Sequence, residues 1–387
     1  MSTSIPTNAP TEQTDFFWPL AAVVAIAAIV PALLMMGPAV AGQLSVQLNM
    51  TPSAIGLLFM SELGAMSIAT LPALYWLRRW NLQKAGKAFG AVFIVANILS
   101  IWANDGSTLT MLRVLSGLAG GSLTVICVST TGTFAKPDRA YGFWVLGQLV
   151  LGAVGLSLLP RLFSIYGLEV FFLILAVLMS LCLPIMRFLP NRIINKHAVN
   201  TPLKTNTFPV KPVLGLTAIF LFYLSLNGTW TFIGTLASEA GINAQASGDV
   251  LAIATLFGIA GALIATLMGG RKAYKMPLVA GYLIMIISMV ALIGISDAVH
   301  FSIAAFAFKF AWTFVLPFIL ASLARHDKNG QLMNLTNLVI GGGLAIGPML
   351  AGQTIDTFSN VEPFLYVALM MTACSLLLIS TLQSKHK

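Results

Sequence analysis

Long runs of apolar residues, separated by short polar stretches, make up the chain from residue 17 to residue 382. A helix needs about 20 mostly apolar residues to cross the hydrocarbon core of a bilayer. Twelve runs approach or exceed that length, and they are 17–41, 52–77, 86–103, 109–134, 140–160, 168–188, 212–237, 247–269, 276–296, 299–323, 331–353 and 361–382. Because the runs are continuous rather than alternating, they predict transmembrane helices and not barrel strands. The predicted fold is an all-α membrane protein with twelve transmembrane helices.

The longest internal polar stretch divides the runs into two sets of six, and its Asn, Thr and Pro content is typical of a linker. The predicted regions are a tail at 1–16, a first half at 17–188, a linker at 189–211, a second half at 212–382 and a tail at 383–387. Gly152 and Gly347 occupy the same offset from the start of their halves. We therefore expect two pseudo-symmetric repeats, although glycine is also common in membrane helices for packing reasons alone.

Composition and charge agree with a membrane location. Hydrophobic residues make up 58% of the chain and charged residues 9%, whereas a soluble domain has about 25% charged residues. Eighteen of the 21 Lys and Arg residues lie in or beside every second gap between the runs, and Arg161 is the only cation in the other gaps. This bias predicts a multi-pass protein of the bacterial inner membrane with both termini in the cytoplasm. The net charge of +9 then reflects cytoplasmic loops and does not indicate a nucleic-acid partner.

Three ionisable side chains, Glu62, Arg113 and Lys309, lie inside the apolar runs and away from their ends. A charge at the bilayer centre costs about 2.5–3.5 kcal/mol on insertion scales, so such a residue is expected to face water or a partner. Glu62 and Lys309 each precede the next cation of their half by 16 residues. At about 1.5 Å per residue, both lie about 24 Å from that boundary, and Arg113 lies nearer the opposite surface.

Two interpretations of Glu62 remain open. Burial favours the neutral form of a carboxyl group, so Glu62 is a candidate proton carrier. The alternative is a structural ion pair with Arg113 or Lys309 that keeps the carboxylate charged. A pair that substrate or protonation breaks would combine the two roles.

Arg113, Lys309 and several polar or aromatic residues are candidate substrate contacts. Arg113 could instead tie its helix to polar groups of a neighbouring helix, and Lys309 could be buried against Glu62. Asn227 and Trp230 are three residues apart and share a helix face. Trp312 stands three residues from Lys309, although a tryptophan can also face lipid. The remaining candidate contact in this set is Gln148.

Small residues carry a resemblance to a known family. The fourth run contains Leu109, Arg113, Gly117, Gly120 and Gly121, which is an arginine followed by a small-residue face. Together with the two sets of six runs and the basic central stretch, this pattern resembles the major facilitator superfamily over essentially the whole chain. Runs five and eleven resemble loose versions of its Gly/Pro-rich motif.

The resemblance also has a departure. The family usually has the pattern Gly-x-x-x-Asp-Arg-x-Gly-Arg-Arg between its second and third helices. This chain has Arg78 and Arg79 there but no Asp, so the usual charge-relay gate lacks its acid.

The resemblance implies that runs 1, 4, 7 and 10 line a central cavity, which Arg113 and Lys309 would face from opposite halves. It also places run 2 beside run 11 at the seam between the halves. The predicted gating and helix-packing residues are Gly117, Gly121, Gly152, Gly347 and Pro348.

We predict a secondary active transporter that works by alternating access around a midplane site. No nucleotide loop, metal-ligand spacing or cofactor motif is present in the sequence, so protons coupled through Glu62 are the expected energy source. Two intramembrane cations against one acid favour a small organic anion or zwitterion as the solute. We expect the chain to act as a monomer in the bilayer, with no nucleic-acid partner.

A proton-driven efflux pump for apolar drugs or metabolites is the alternative, since 24 Phe and 17 Met could form an adaptable pocket. The same residues are also ordinary membrane-core material. A receptor or a membrane-embedded enzyme is disfavoured, because the sequence shows neither a long soluble appendage nor a catalytic pair.

Overall fold

The computed structural model describes residues 14–77, 79–192, 210–268, 275–325, 327 and 331–383, and every regular element in these ranges is a helix. The first set comprises α1 (Thr14–Ile29), α2 (Ala32–Met35), α3 (Gly37–Leu48), α4 (Pro52–Ile68), α5 (Thr70–Trp76), α6 (Leu82–Ser100), α7 (Gly106–Thr131), α8 (Pro137–Tyr166), α9 (Glu169–Cys182) and a 3-10 turn, Ile185–Phe188. The second set comprises α10 (Val210–Glu239), α11 (Ala244–Met268), α12 (Lys275–Ala291), α13 (Ala298–Ala324), α14 (Gln331–Phe358) and α15 (Glu362–Gln383). Of the predicted tails and linker, residues 1–13, 193–209 and 384–387 lie outside the described ranges.

Helices occupy all twelve predicted runs, which confirms the all-helical membrane fold. Nine helices in the described ranges are long and apolar enough to span a membrane. Three shorter apolar helices, Phe17–Ile29, Glu169–Cys182 and Lys275–Ala291, fall in the first, sixth and ninth runs. Not every run is one continuous helix: the first contains α1 to α3, the second contains α4 and α5, and the sixth contains α9 and the 3-10 turn.

Two prolines account for the interruption of the first run. Pro31 lies between α1 and α2, and Pro38 is the second residue of α3. Because proline has no backbone N–H, each removes the helical donor for the carbonyl four residues earlier. The carbonyls of Ala27 and Leu34 therefore need partners from outside their own helix.

The starts of α7 and α13 repeat the same cap in the two halves. Asp105 precedes α7 and accepts a hydrogen bond from the Thr108 N–H at 2.8 Å. Asp297 precedes α13 and accepts from the N–H groups of Val299 and His300 at 2.8 and 2.9 Å. A carboxylate at this position satisfies free N–H groups and favours the positive end of the helix dipole. The hydrogen bonds hold the pKa of the Asp297 carboxyl below its usual value.

The halves meet mainly where α4 packs on α14, α8 on α11 and α3 on α10, with a smaller contact between α3 and α11. Glycine residues, which have no side chain, allow α4 and α14 to approach closely. A Cβ atom added at Gly56 would collide with the Pro348 carbonyl oxygen, and one added at Gly352 would collide with that of Pro52. The predicted position of run 2 beside run 11 is thus what the structure shows.

Polar contacts between the halves cluster away from the chain termini. With all twelve runs helical, Thr14 and Gln383 lie at the same end of the bundle. The opposite end, called here the closed end, contains the start of α4 and the end of α14. There the Ser53 N–H donates to the Asp356 carboxylate at 3.0 Å, across the two halves.

Candidate functional site

Lys309 lies in a cage of two indole rings near the middle of α13. Its ammonium nitrogen is 3.7 Å from the ring centre of Trp230 and 3.8 Å from that of Trp312. The two rings meet edge to face at 75°, with their centres 5.8 Å apart. An ammonium group over an indole face is stabilised by about 2 kcal/mol when it is desolvated. The cage therefore surrounds the buried Lys309 amine with aromatic rings, where a carboxylate would be the usual partner.

Glycine in the neighbouring helix α11 allows the Lys309 stem to reach this position. A Cβ atom added at Gly258 would lie 3.2 Å from Lys309 Cγ, and the Thr313 hydroxyl donates to the Gly258 carbonyl at 2.6 Å. Lys309 is 1% exposed. Among the described residues, no carboxylate lies within ion-pairing distance of Lys309, so the predicted alternative of burial against Glu62 is not what the structure shows.

Glu62 and Arg113 instead form a buried pair within the first half. A Glu62 carboxylate oxygen lies 3.8 Å from an Arg113 guanidinium nitrogen, and the Ser116 hydroxyl lies 3.5 Å from the other oxygen. The paired oxygen, Oε2, accepts no hydrogen bond from the described residues. Long contacts of this kind attract the carboxylate without saturating its acceptors.

Arg113 points toward its own half. Its guanidinium donates to Asn97 Oδ1 at 3.1 Å, to the Ser100 hydroxyl at 2.6 Å and to the Ala96 carbonyl at 3.3 Å, all on α6. The Phe172 ring of α9 lies 4.6 Å from the guanidinium carbon. The side chain is fully buried. The structure thus places Arg113 among neighbouring helices of one half, as in the structural interpretation of this residue.

The small-residue face of α7 brings Glu62 and Arg113 together. A Cβ atom added at Gly117 would collide with the Glu62 carbonyl oxygen, and one added at Gly121 would collide with that of Met66. α4 and α7 therefore touch backbone to backbone beside the pair. Small residues allow such close approach of membrane helices.

Three predicted substrate contacts donate hydrogen bonds to backbone carbonyls. Gln148 Nε2 donates to Ala27 O at 3.1 Å, and Trp230 Nε1 donates to Leu34 O at 2.9 Å. Asn227 Nδ2 likewise donates to a backbone carbonyl of α14. The side-chain N–H groups of all three residues thus donate to the protein backbone in this structure. Asn227 Oδ1 is buried and has no partner among the described residues, so it remains open to a donor.

The remaining predicted packing residues lie at helix contacts. A Cβ atom added at Gly152 would lie 3.1 Å from Met35 Cβ, where α8 meets the broken first run. One added at Gly347 would lie 2.6 Å from the Leu224 carbonyl oxygen, where α14 meets α10. Pro348 contacts α4 through its carbonyl. These residues bring neighbouring helices close together.

Sequence reasoning missed a polar contact between α8 and α11 at the closed end. The Ser157 hydroxyl donates to Asp249, and an Arg161 guanidinium nitrogen lies 3.3 Å from the same carboxylate. Gln245 Nε2 donates to the Ser157 carbonyl at 3.0 Å. The spacing of these residues was the available signal. Ser157 and Arg161 are four residues apart on α8, and so are Gln245 and Asp249 on α11, so each pair shares one helix face. We call these four residues the α8–α11 contact.

A cavity of about 220 Å³ lies beside the α8–α11 contact. It is bounded by α3, α8, α10 and α11, and its lining includes Gln43, Phe163, Thr235 and Ser247. None of the predicted site residues lines it. The cavity is therefore separate from the Lys309 cage and from the Glu62 and Arg113 pair.

Comparison with known proteins identifies the family. The model of the Major Facilitator Superfamily matches residues 20–348. No curated protein sequence matches the chain.

Solved structures share the fold at low identity. The nucleoside transporter NupG has 12% sequence identity and a TM-score of 0.70, with 96% of this chain and 100% of that chain covered. A bacterial homologue of the human lysosomal transporter Spinster, in an inward-facing and occupied conformation, has 13% identity and a TM-score of 0.71, with 97% of each chain covered. The family match and the membrane-spanning helices together show that the chain is a multi-pass membrane transporter and belongs to the Major Facilitator Superfamily.

Proposed function

We propose that this protein is a proton-coupled secondary transporter of a small organic anion or zwitterion, driven by rocking of its two six-helix halves. The observation that carries the proposal is the Lys309 cage. The Lys309 ammonium group has two aromatic neighbours, and no carboxylate of the described residues lies within ion-pairing distance of it. Its positive charge would therefore be unpaired near the bilayer midplane. An incoming carboxylate would pair with that charge, and Asn227 Oδ1 would accept a hydrogen bond from a solute donor.

The surroundings of Arg113 support a proton-carrying role for Glu62. Arg113 keeps three hydrogen bonds and an aromatic contact that do not involve Glu62. Protonation of Glu62 would therefore remove one ion pair without leaving the guanidinium unpaired. A carboxyl group that can gain and lose a proton at little structural cost suits a coupling site.

Distribution of the basic residues supports the proposed orientation. The cations at the termini end of the described chain are Arg79, Lys84, Lys87, Lys136, Arg139, Arg187, Arg192, Lys211, Lys275 and Arg325. By the positive-inside rule this end faces the cytoplasm of a bacterial inner membrane. The closed end would then face outward. Labelling of single cysteines with an impermeant reagent in intact cells tests this orientation.

Purified protein in proteoliposomes provides the functional test. A library of organic acids would first be screened for thermal stabilisation, and the hits would be assayed for uptake under an imposed pH gradient. We expect Lys309→Ala to lose stabilisation by the hits. We expect Glu62→Gln to bind them but to lose accumulation driven by the pH gradient. Unchanged anion binding in Lys309→Ala would contradict the proposed solute class, and unchanged accumulation in Glu62→Gln would contradict the proposed coupling.

A second candidate function, efflux of apolar compounds, is favoured by one cluster at the seam. Leu34, Leu63 and Ala345 from α2, α4 and α14 pack together with the partly buried methionines Met35, Met60 and Met66. Flexible thioether side chains adapt to irregular apolar ligands. Apolar dyes that stabilise the protein equally in Lys309→Ala and in the parent would favour this function over anion transport.

A further inference from the structure

Three prolines leave three backbone carbonyls without helical donors, and three side chains supply the missing hydrogen bonds. Proline cannot donate to the carbonyl four residues before it. Pro31 frees the Ala27 carbonyl, Pro38 frees the Leu34 carbonyl and Pro348 frees the Leu344 carbonyl. The side chains that donate to these carbonyls are Gln148, Trp230 and Asn227, in the same order. Each donor is within the membrane-spanning region, where an unpaired carbonyl is costly.

Only the Trp230 bond of these three joins the two halves. Gln148 and Ala27 both belong to the first half, and Asn227 and Leu344 both belong to the second. Trp230 belongs to α10, whereas its acceptor Leu34 belongs to α2. One turn further along α10, a Cβ atom added at Gly234 would lie 3.1 Å from the Pro38 carbonyl oxygen. The Trp230 bond thus lies within the packed contact between the first run and α10.

The same indole ring covers the ammonium group of Lys309. Trp230 is fully buried, with Lys309 Nζ over its ring at 3.7 Å and its N–H directed at Leu34 O. Lys309 belongs to the second half and Leu34 to the first. If α2 moved away from α10, the indole could not keep both contacts in this geometry.

We infer that Trp230 is a positioning residue that links the state of Lys309 to the contact between the halves. Its N–H bond to the Leu34 carbonyl stabilises the contact between the first run and α10, and Lys309 holds the ring in the orientation that this bond requires. A solute anion that draws the ammonium group away from the ring would loosen the bond and favour separation of the halves. Only this last step rests on the proposed function.

A double-mutant cycle tests the bond without any solute. The open fraction is measured as the distance between spin labels at Ile165 and Val299, which are exposed residues of opposite halves near the closed end. Cys374, the exposed native cysteine, is replaced by Ser so that only these positions react. Pro38→Ala supplies an N–H for the Leu34 carbonyl, so it should make the Trp230 donor redundant.

We expect Trp230→Phe to raise the ratio of open to closed molecules about tenfold in the parent, as loss of one buried hydrogen bond predicts. The rise should be much smaller in the Pro38→Ala background. Gln148→Leu is the matched control, because it removes the equivalent bond inside one half and should leave the ratio unchanged. Equal rises in both backgrounds, no rise in the parent, or a similar rise in Gln148→Leu would overturn the inference.

A second cycle tests the link to Lys309. We expect Lys309→Met to raise the open fraction in the parent and to have little effect in Trp230→Phe, where the bond is already absent. The same rise in both backgrounds would show that Lys309 does not act through Trp230. Because neither cycle uses a solute, failure of the inference can be told apart from failure of the anion-transport proposal. The latter is decided by anion binding to Lys309→Ala.

Discussion

Glu62 and Arg113 lie side by side inside the first half, with a carboxylate oxygen 3.8 Å from a guanidinium nitrogen and both side chains buried. The two residues differ in how many other hydrogen-bond partners they have. Arg113 has further partners on α6, whereas Glu62 Oε2 has no hydrogen-bond donor among the described residues. Removing either partner should therefore have a different consequence.

At a pH at which Glu62 is ionised, Arg113→Met is expected to destabilise the protein by about 3–5 kcal/mol, because it leaves a buried carboxylate without its cation. The same change in a Glu62→Gln background should cost less, since no unpaired buried charge remains. Denaturant unfolding in detergent measures both effects. An equal loss in the two backgrounds would show that Glu62 gains no stabilisation from Arg113.

Gly117→Ala is expected to destabilise the protein by about 1–3 kcal/mol. The added methyl group would collide with the Glu62 carbonyl and lie 2.9 Å from Ala65 Cβ, so α4 and α7 must move apart. Gly142→Ala in α8 is the matched control, because a Cβ atom there meets nothing within 4 Å. The free energy of unfolding of the control should rise by about 0.5–1 kcal/mol, because alanine has a higher helix propensity than glycine. Thermal unfolding of the two variants should therefore shift in opposite directions.

The α8–α11 contact should depend more on Asp249 than on Arg161. The Arg161 side chain is 59% exposed, and exposed ion pairs contribute about 0–1 kcal/mol. Asp249→Ala also removes the acceptor of the Ser157 hydroxyl. We expect Asp249→Ala to increase maleimide labelling of a cysteine at Thr235, in the cavity beside this contact, by more than Arg161→Ala does. Equal labelling rates would show that the Ser157 bond does not hold this end together.

Asp105 should contribute to acid sensitivity. Hydrogen bonds from the Ser107 hydroxyl and the Thr108 N–H hold the pKa of its carboxyl at about 2, below the usual value of 3.8. Because the folded pKa is the lower one, the stabilisation is present above the unfolded value and is lost as the pH falls towards about 2. Asp105→Asn keeps a capping oxygen. Its unfolding temperature should fall less steeply than that of the parent between about pH 4 and pH 2. Superimposable profiles would contradict the role of this cap.

The sequence predicted the membrane fold well because length and hydropathy are local properties. The runs that correspond to α7, α10 and α13 could be identified because each contains about 20 consecutive, mostly apolar residues. The broken first run was missed because its residues are as apolar as those of an unbroken helix. Pro31 and Pro38 were the available signal, and their effect becomes clear only once Gln148 and Trp230 are seen to satisfy the carbonyls that they free.

By itself, the sequence determined that the chain crosses the membrane many times and that Glu62, Arg113 and Lys309 lie well inside its apolar runs. Matched depth suggested that Glu62 and Lys309 could meet. Only the tertiary structure decided that Glu62 pairs with Arg113 and that Lys309 lies between Trp230 and Trp312. Depth follows from counting residues along one helix. Partners depend on how each helix is rotated and how closely it approaches its neighbours. Close approach is possible here at glycines such as Gly117 of α7, which faces α4, and Gly258 of α11, which faces Lys309.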